Sequence, residues 1–261
     1  MPTGVLTRTG IVASATFRSA FSGARALGLI AVAAVYPLLV VVIAAAQFPG
    51  IDLLGTSETL FSTLFLPVLL LLVVLVLGVG AFRGELEDDT LVFPLNRTLP
   101  RPSLVAGKYL GLVGAALLIL IPSALGGTAL AAALGTGPSP NSTGLLEAIL
   151  LLPTLAILAY GANFLFLGLV TRQALVIGLL YGFLWETFIS LIPGPIRELS
   201  VIYYLRGVGA NLVPNGDLAS GVGALGVPGV LVGTFGFALV ALVLSSLFLR
   251  YAEIRPAAAP S

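Results

Sequence analysis

Few side chains in this sequence could do chemistry, and most of those that could are crowded into one segment. Between Arg83 and Lys108 lie eight of the 23 charged residues. Glu85, Glu87, Asp88 and Asp89 come first, then Thr90 and the apolar run Leu91, Val92, Phe93 and Leu95, and then Arg97, Arg101 and Lys108. A short helix opening with the acids would set negative charge against its own N-terminal dipole. Leu91 and Leu95 would share a face, as positions i and i+4 do. An apolar ridge with a charged rim suits the groove of a protein partner. The other reading of these residues is a solvated loop whose basic groups only set orientation.

Catalysis is harder to build. The chain has no His and no Cys, which excludes imidazole or thiolate metal sites, haem ligation and Ser/His or Cys/His catalysis. A Ser–Lys pair would need Lys108, the only lysine. Gly107-Lys108 is no phosphate loop: Pro102 stands where Gly is required, and Tyr109 follows where Ser or Thr must hold magnesium. The chain is therefore expected to bind no cofactor and to hydrolyse no nucleotide. Twelve basic against eleven acidic residues leave a net charge of +1, which offers no field for nucleic acid.

Two polar residues fall within apolar stretches. Glu186 is either a pathway residue or an acid near the membrane surface, snorkelling or paired with Arg197 or Arg206; intramembrane carboxylates usually face a bundle interior. Asn163 reads as an interhelical hydrogen bond or as a second pathway residue.

The elements that must position these groups are membrane helices. Hydrophobic residues make up 58% of the sequence and charged ones 9%, with mean hydropathy +1.13; a soluble domain carries about 25% charged residues. Charge-free gaps place six spans near 26–48, 60–82, 109–134, 145–170, 174–192 and 225–249. Each is close to the roughly 20 residues that cross the hydrocarbon. Lipid offers no partner to a backbone N–H, so continuous helices are expected, with local kinks at Pro37, Pro67, Pro122 and Pro153. The fold class is thus all-α, one polytopic domain.

Residues 1–25 form a basic leader with Arg18 and Arg25 on one helical face and Phe17 and Phe21 on another, suited to the membrane interface. Ala44-Ala45-Ala46 resembles a signal-peptidase site, but its apolar run is too long, so the first helix is expected to be retained. Six spans put both termini on one side, with ten of the 12 basic residues. By the positive-inside rule that side is cytoplasmic, giving a multi-pass cell-membrane protein with both termini inside. Asn141-Ser-Thr143 is then a glycosylation sequon in an outer loop.

The pattern Glu85-x-Glu87-x-x-Thr90-Leu91, followed by Arg101-x-x-Leu104-x-x-Gly107-Lys108, resembles the loop between the second and third helices of type-2 ATP-binding-cassette (ABC) exporter permeases. The likeness extends in outline to the basic leader, the six spans, the long segment before the last helix and the closing Arg250-Tyr-Ala-Glu-Ile254. Asp89 stands where the family has Gly, and its Pro is shifted here to Pro94 and Pro100. The resemblance implies a dimer with a second permease copy or paralogue, driven by two separate ATPase subunits that hold the ATP and magnesium. It implies that the loop is a coupling helix. Glu85, Glu87, Asp88 and Asp89 would meet basic residues of the ATPase, and Leu91 and Phe93 would fill its groove. Thr90, Arg101 and Lys108 belong to the same matched stretch. A standalone secondary transporter is the alternative. That class shows repeats and several intramembrane ion ligands, and this sequence has no evident repeat and one such acid.

Overall fold

The computed structural model describes residues 5–46, 52–87, 101–135, 142–192, 195–213, 217–219 and 226–251. Helix α1 covers Val5–Ala20 and α2 Gly23–Ala45. Helix α3 runs over 53–87: it is α-helical over Leu53–Leu60 and Leu71–Glu87, with π turns over Phe61–Leu70 between them. Helix α4 is Arg101–Leu134 and α5 Ser142–Val170. Helix α6 covers 174–191, with π turns over Tyr181–Trp185. A 3-10 turn at Pro195–Leu199 leads into α7, Val201–Leu212, and another at Asp217–Ala219 follows it. Helix α8 is Val227–Tyr251. There is no strand among the described residues.

Five helices are long and apolar enough to cross a membrane: α2, α3, α4, α5 and α8. The chain is a multi-pass helical membrane protein. The stretch expected as a fifth span, 174–192, forms the shorter apolar helix α6 and does not count among these five. Other boundaries also shift. Helix α3 begins at Leu53 rather than residue 60, and α4 at Arg101 rather than 109.

Helices α3, α4 and α5 form the centre of the bundle, while α2 and α8 keep most of their surface free. The exposed side chains of α2 and α8 include Leu27, Leu38, Val42, Val232 and Leu239, as expected of surfaces bathed in acyl chains, where apolar contact carries no penalty. The core between α2, α3 and α4 is built on Tyr36, whose ring packs 5.3 Å from Phe65, itself stacked on Phe61. Its hydroxyl reaches the Ser57 carbonyl at 3.2 Å and Thr128 Oγ1 at 3.3 Å.

Between α3 and α5 the backbones nearly touch. A Cβ on Gly78 would stand 2.6 Å from Phe164 Cβ, and one on Gly168 would stand 2.7 Å from the Val79 carbonyl oxygen. Small residues at such crossings let dispersion contacts replace the missing hydrophobic drive.

Of the four prolines expected to disturb a span, three lie within continuous α-helix. Only Pro67 coincides with a departure, the π stretch over Phe61–Leu70. Proline removes a ladder hydrogen bond, and π turns are one way the backbone widens around such a gap. The leader also departs from expectation. Gly23, with φ +67°, breaks the helix after Ala20, so Arg25 belongs to α2 and shares no continuous helical face with Arg18.

Candidate functional site

Two groups of polar residues stand out, one at each end of the bundle. The first is the end where α3 finishes and α4 begins. Helix α1 lies across the first turns of α4, seated on Gly107 and Gly111. A Cβ on Gly107 would meet Val12 Cβ at 2.7 Å, and one on Gly111 would meet the Ala13 carbonyl at 2.5 Å. Thr9 Oγ1 and Ser103 Oγ, 2.6 Å apart, fasten the same crossing.

Lys108 sits beneath this crossing with 2% of its surface exposed. Its Nζ donates to the Ala81 carbonyl at 2.5 Å and lies 4.7 Å from the centroid of the Phe82 ring. The charge of Lys108 is thus engaged within the chain, at the joint between α3 and α4. Arg101 is exposed, but its Nη1 donates to the Arg250 carbonyl at 2.6 Å, at the C-terminal end of α8. Arg83 likewise donates to the Thr171 carbonyl at 3.2 Å, just past the end of α5. Cations at helix C-termini complement the macrodipole, so these arginines join helices as well as carrying charge. Much of the Arg101–Lys108 motif is thereby explained by packing, since Leu104 is buried, Gly107 seats α1 and Lys108 ties α4 to α3.

Glu85 and Glu87 fall in the last turn of α3. They close a helix rather than open one, because α3 continues for a further turn past Arg83. Asp88, Asp89, Thr90, Leu91 and Phe93 lie outside the described residues, and so does Asn141.

The second group lies at the opposite end, where α6 meets α7. Glu186 is 0% exposed. Ser200 Oγ donates to its Oε2 at 2.6 Å, Ile202 N to Oε2 at 3.1 Å and Val201 N to Oε1 at 3.3 Å. The first N–H groups of a helix have no intrahelical acceptor, and this carboxylate supplies one from another helix. Of the alternatives the sequence leaves open, pairing with Arg197 or Arg206 is not found among the described residues: the carboxylate caps α7, while Arg197 lies over the Tyr203 ring at 4.9 Å. The fully buried Tyr160 stands near this carboxylate, with its hydroxyl outside hydrogen-bonding geometry.

Glu58 repeats the device. It is buried on α3, and its carboxylate faces the backbone N–H groups of Asp217 and Leu218 at the start of the following 3-10 turn. Thr59 Oγ1 donates to the Asp217 carboxylate beside it.

Two cavities flank the Glu186 cap. One, of about 300 Å³, is lined by Asn163, Phe166, Tyr181, Trp185 and Phe237. Asn163 Nδ2 is buried there without a hydrogen-bond partner among the described residues, so the expected interhelical bond is not made by its amide N–H. The other, of about 490 Å³, is lined by Thr59, Ser62, Thr63, Phe183, Arg206 and Asp217, with apolar residues between them. Burial lowers the Arg206 guanidinium below its ordinary pKa. No family model matches this chain, and no curated protein is similar to it. The case for function therefore rests on its own residues.

Sequence reasoning missed Glu58 and Ser200, and it named Arg206 only as a partner for Glu186, not as part of a cavity wall. A signal for the larger cavity was present: Thr59, Ser62, Thr63, Leu66 and Pro67 recur at i, i+3, i+4, i+7 and i+8, one face of a helix. Ile202, Leu205 and Arg206 repeat the start of that spacing on α7.

Proposed function

We propose that this chain is the membrane-spanning permease subunit of an ABC transporter, an exporter, driven by separate ATPase subunits that dock on residues 83–108. In this reading α6 completes six spans. Both termini face the cytoplasm of a cell membrane, and a second permease copy or paralogue forms the other half. ATP and magnesium belong to the partner ATPase, and this chain supplies no catalytic group. The motif from Glu85 to Lys108 and the clustering of basic residues at one end support the assignment.

The observation that carries the mechanism is the length and bracing of α3 and α4. The Leu53–Arg83 and Arg101–Leu134 stretches contain 31 and 34 residues, roughly 46 and 51 Å at 1.5 Å per residue. A hydrocarbon core of about 30 Å leaves one or more turns of each outside it. The two helices flank the docking segment and are locked together through Lys108 and Ala81. A push on that segment would therefore reach the centre of the bundle without being lost in a loose joint. ATP would favour one arrangement of the ATPase pair, and the braced helices would bias the bundle toward the matching state.

The test is association. Membranes carrying the chain are solubilised in mild detergent, and the co-purified ATPase subunit is detected by photolabelling with an azido-ATP. Reversing charge at Glu85, Glu87 and Asp88 together should abolish recovery of that subunit without affecting membrane insertion. Equal recovery with the triple variant would refute the docking assignment. Full transport by the reconstituted chain alone would favour a standalone transporter.

A further inference from the structure

The cavity between α3, α6 and α7 has a composition that the coupling mechanism does not use. Its volume, about 490 Å³, falls in the range of small-molecule sites. The wall is apolar over most of its area, formed by Leu66, Leu152, Phe183 and Leu205, and one cationic side chain, Arg206, lines it. No acceptor among the described residues is hydrogen-bonded to that guanidinium. A half-buried charge left in this condition is costly, and an anion placed beside it would gain more than it would in water. Asp217 shares the cavity but is exposed, and it takes a hydrogen bond from Thr59.

Two further features favour a ligand. Ser62 Oγ and Thr63 Oγ1 both donate to the Thr59 carbonyl, at 3.0 and 2.6 Å. One hydroxyl satisfies that oxygen, so the other can rotate toward the cavity at little cost. Both π-helical stretches also border the cavity, Phe61–Leu70 through Ser62, Thr63, Leu66 and Pro67, and Tyr181–Trp185 through Phe183. Such turns are found disproportionately at functional sites, where they redirect side chains out of the α-helical register.

We propose that this cavity binds a single-chain amphiphile by its anionic head, a phosphate or carboxylate. Arg206 holds the anion, a hydroxyl from Ser62 or Thr63 adds a hydrogen bond, and the wall of Leu66, Leu152, Phe183 and Leu205 takes the first part of the chain. The site is independent of the docking segment and of any ATPase.

The experiment uses the full chain in nanodiscs of zwitterionic lipid, with a fluorescent lysophosphatidate as probe. A monoacylglycerol of the same chain length and inorganic phosphate serve as competitors. Saturable lysophosphatidate binding is expected, with Arg206→Gln weakening it at least tenfold and Arg206→Lys weakening it by threefold or less. Leu66→Trp, which fills the cavity and keeps the charge, should also weaken binding at least tenfold. Thermal unfolding of each variant checks that the fold is retained. Equal competition by monoacylglycerol would overturn the role of the anion, as would wild-type binding by Arg206→Gln. Inorganic phosphate competing at the same concentration as lysophosphatidate would identify the ligand as a free anion and overturn the role of the apolar wall. No ATPase is present in this assay, so its failure leaves the permease proposal standing, and loss of ATPase association leaves the cavity standing.

Discussion

Replacing Glu186 by Ala should loosen α7 before any other helix. The side chain accepts one hydroxyl and two backbone hydrogen bonds, at 2.6, 3.1 and 3.3 Å. Hydrogen bonds to charged groups contribute about 1.5–3 kcal/mol each in soluble proteins, whereas interhelical ones in membranes average closer to 0.6 kcal/mol. Water entering at the 3-10 turn would re-satisfy part of what the substitution strands. A net loss of about 2–4 kcal/mol is therefore expected for Glu186→Ala. Glu186→Gln keeps an acceptor for one backbone N–H and lets the Ser200 hydroxyl turn to accept, so about 1–2 kcal/mol is expected. Thermal unfolding in detergent measures the totals, and hydrogen exchange followed by mass spectrometry locates them. Peptides covering 195–213 should exchange faster in Glu186→Ala, while those from α4 and α5 stay protected. Unchanged exchange in α7, with a stability loss below about 0.5 kcal/mol, would refute the capping role.

Three further outcomes follow from the packing. Gly107→Val should displace α1, since a Cβ there meets Val12 and the Thr9 carbonyl at 2.7 and 2.9 Å; faster tryptic cleavage at Arg18 would report it. Lys108→Met keeps the stem and loses the bond to Ala81, so thermal stability should fall by about 1–2 kcal/mol while recovery of an ATPase subunit stays intact. Gly80→Ala drives a methyl group into the Arg25 guanidinium, which donates to the Val76 carbonyl at 2.5 Å. Its cost should shrink in an Arg25→Ala background, and additive losses in the double-mutant cycle would show that the two residues do not interact.

The helical architecture was legible because charge-free apolar runs admit one economical backbone solution in lipid. Element ends were less so. Helices α3 and α4 run past Arg83 and before Lys108 because a helix does not stop where the hydrocarbon does. The polar residues were read by type, but their partners were invisible: nothing local in Leu184-Trp-Glu-Thr-Phe188 reveals that its acid caps a helix beginning 15 residues later. The burial of Lys108 is hidden for a related reason. A lone cation at the mouth of a span looks solvent-facing until α1, folding back over Gly107 and Gly111, covers it. Glu58 falls on α3 because that helix starts at Leu53, seven residues before the charge-free run that marks the span in the sequence.

The two buried carboxylates have a mechanical consequence. Glu186 grips the beginning of the segment that contains α7, and Glu58 grips the turn that follows it. One grip belongs to α6 and the other to α3. The segment is thus hung like a door on two hinges fixed to different posts, and it cannot swing with one post while the other stays still. If α3 and α6 slide apart, one hinge must let go or the panel must tilt. Either motion changes the mouth of the cavity lined by Arg206.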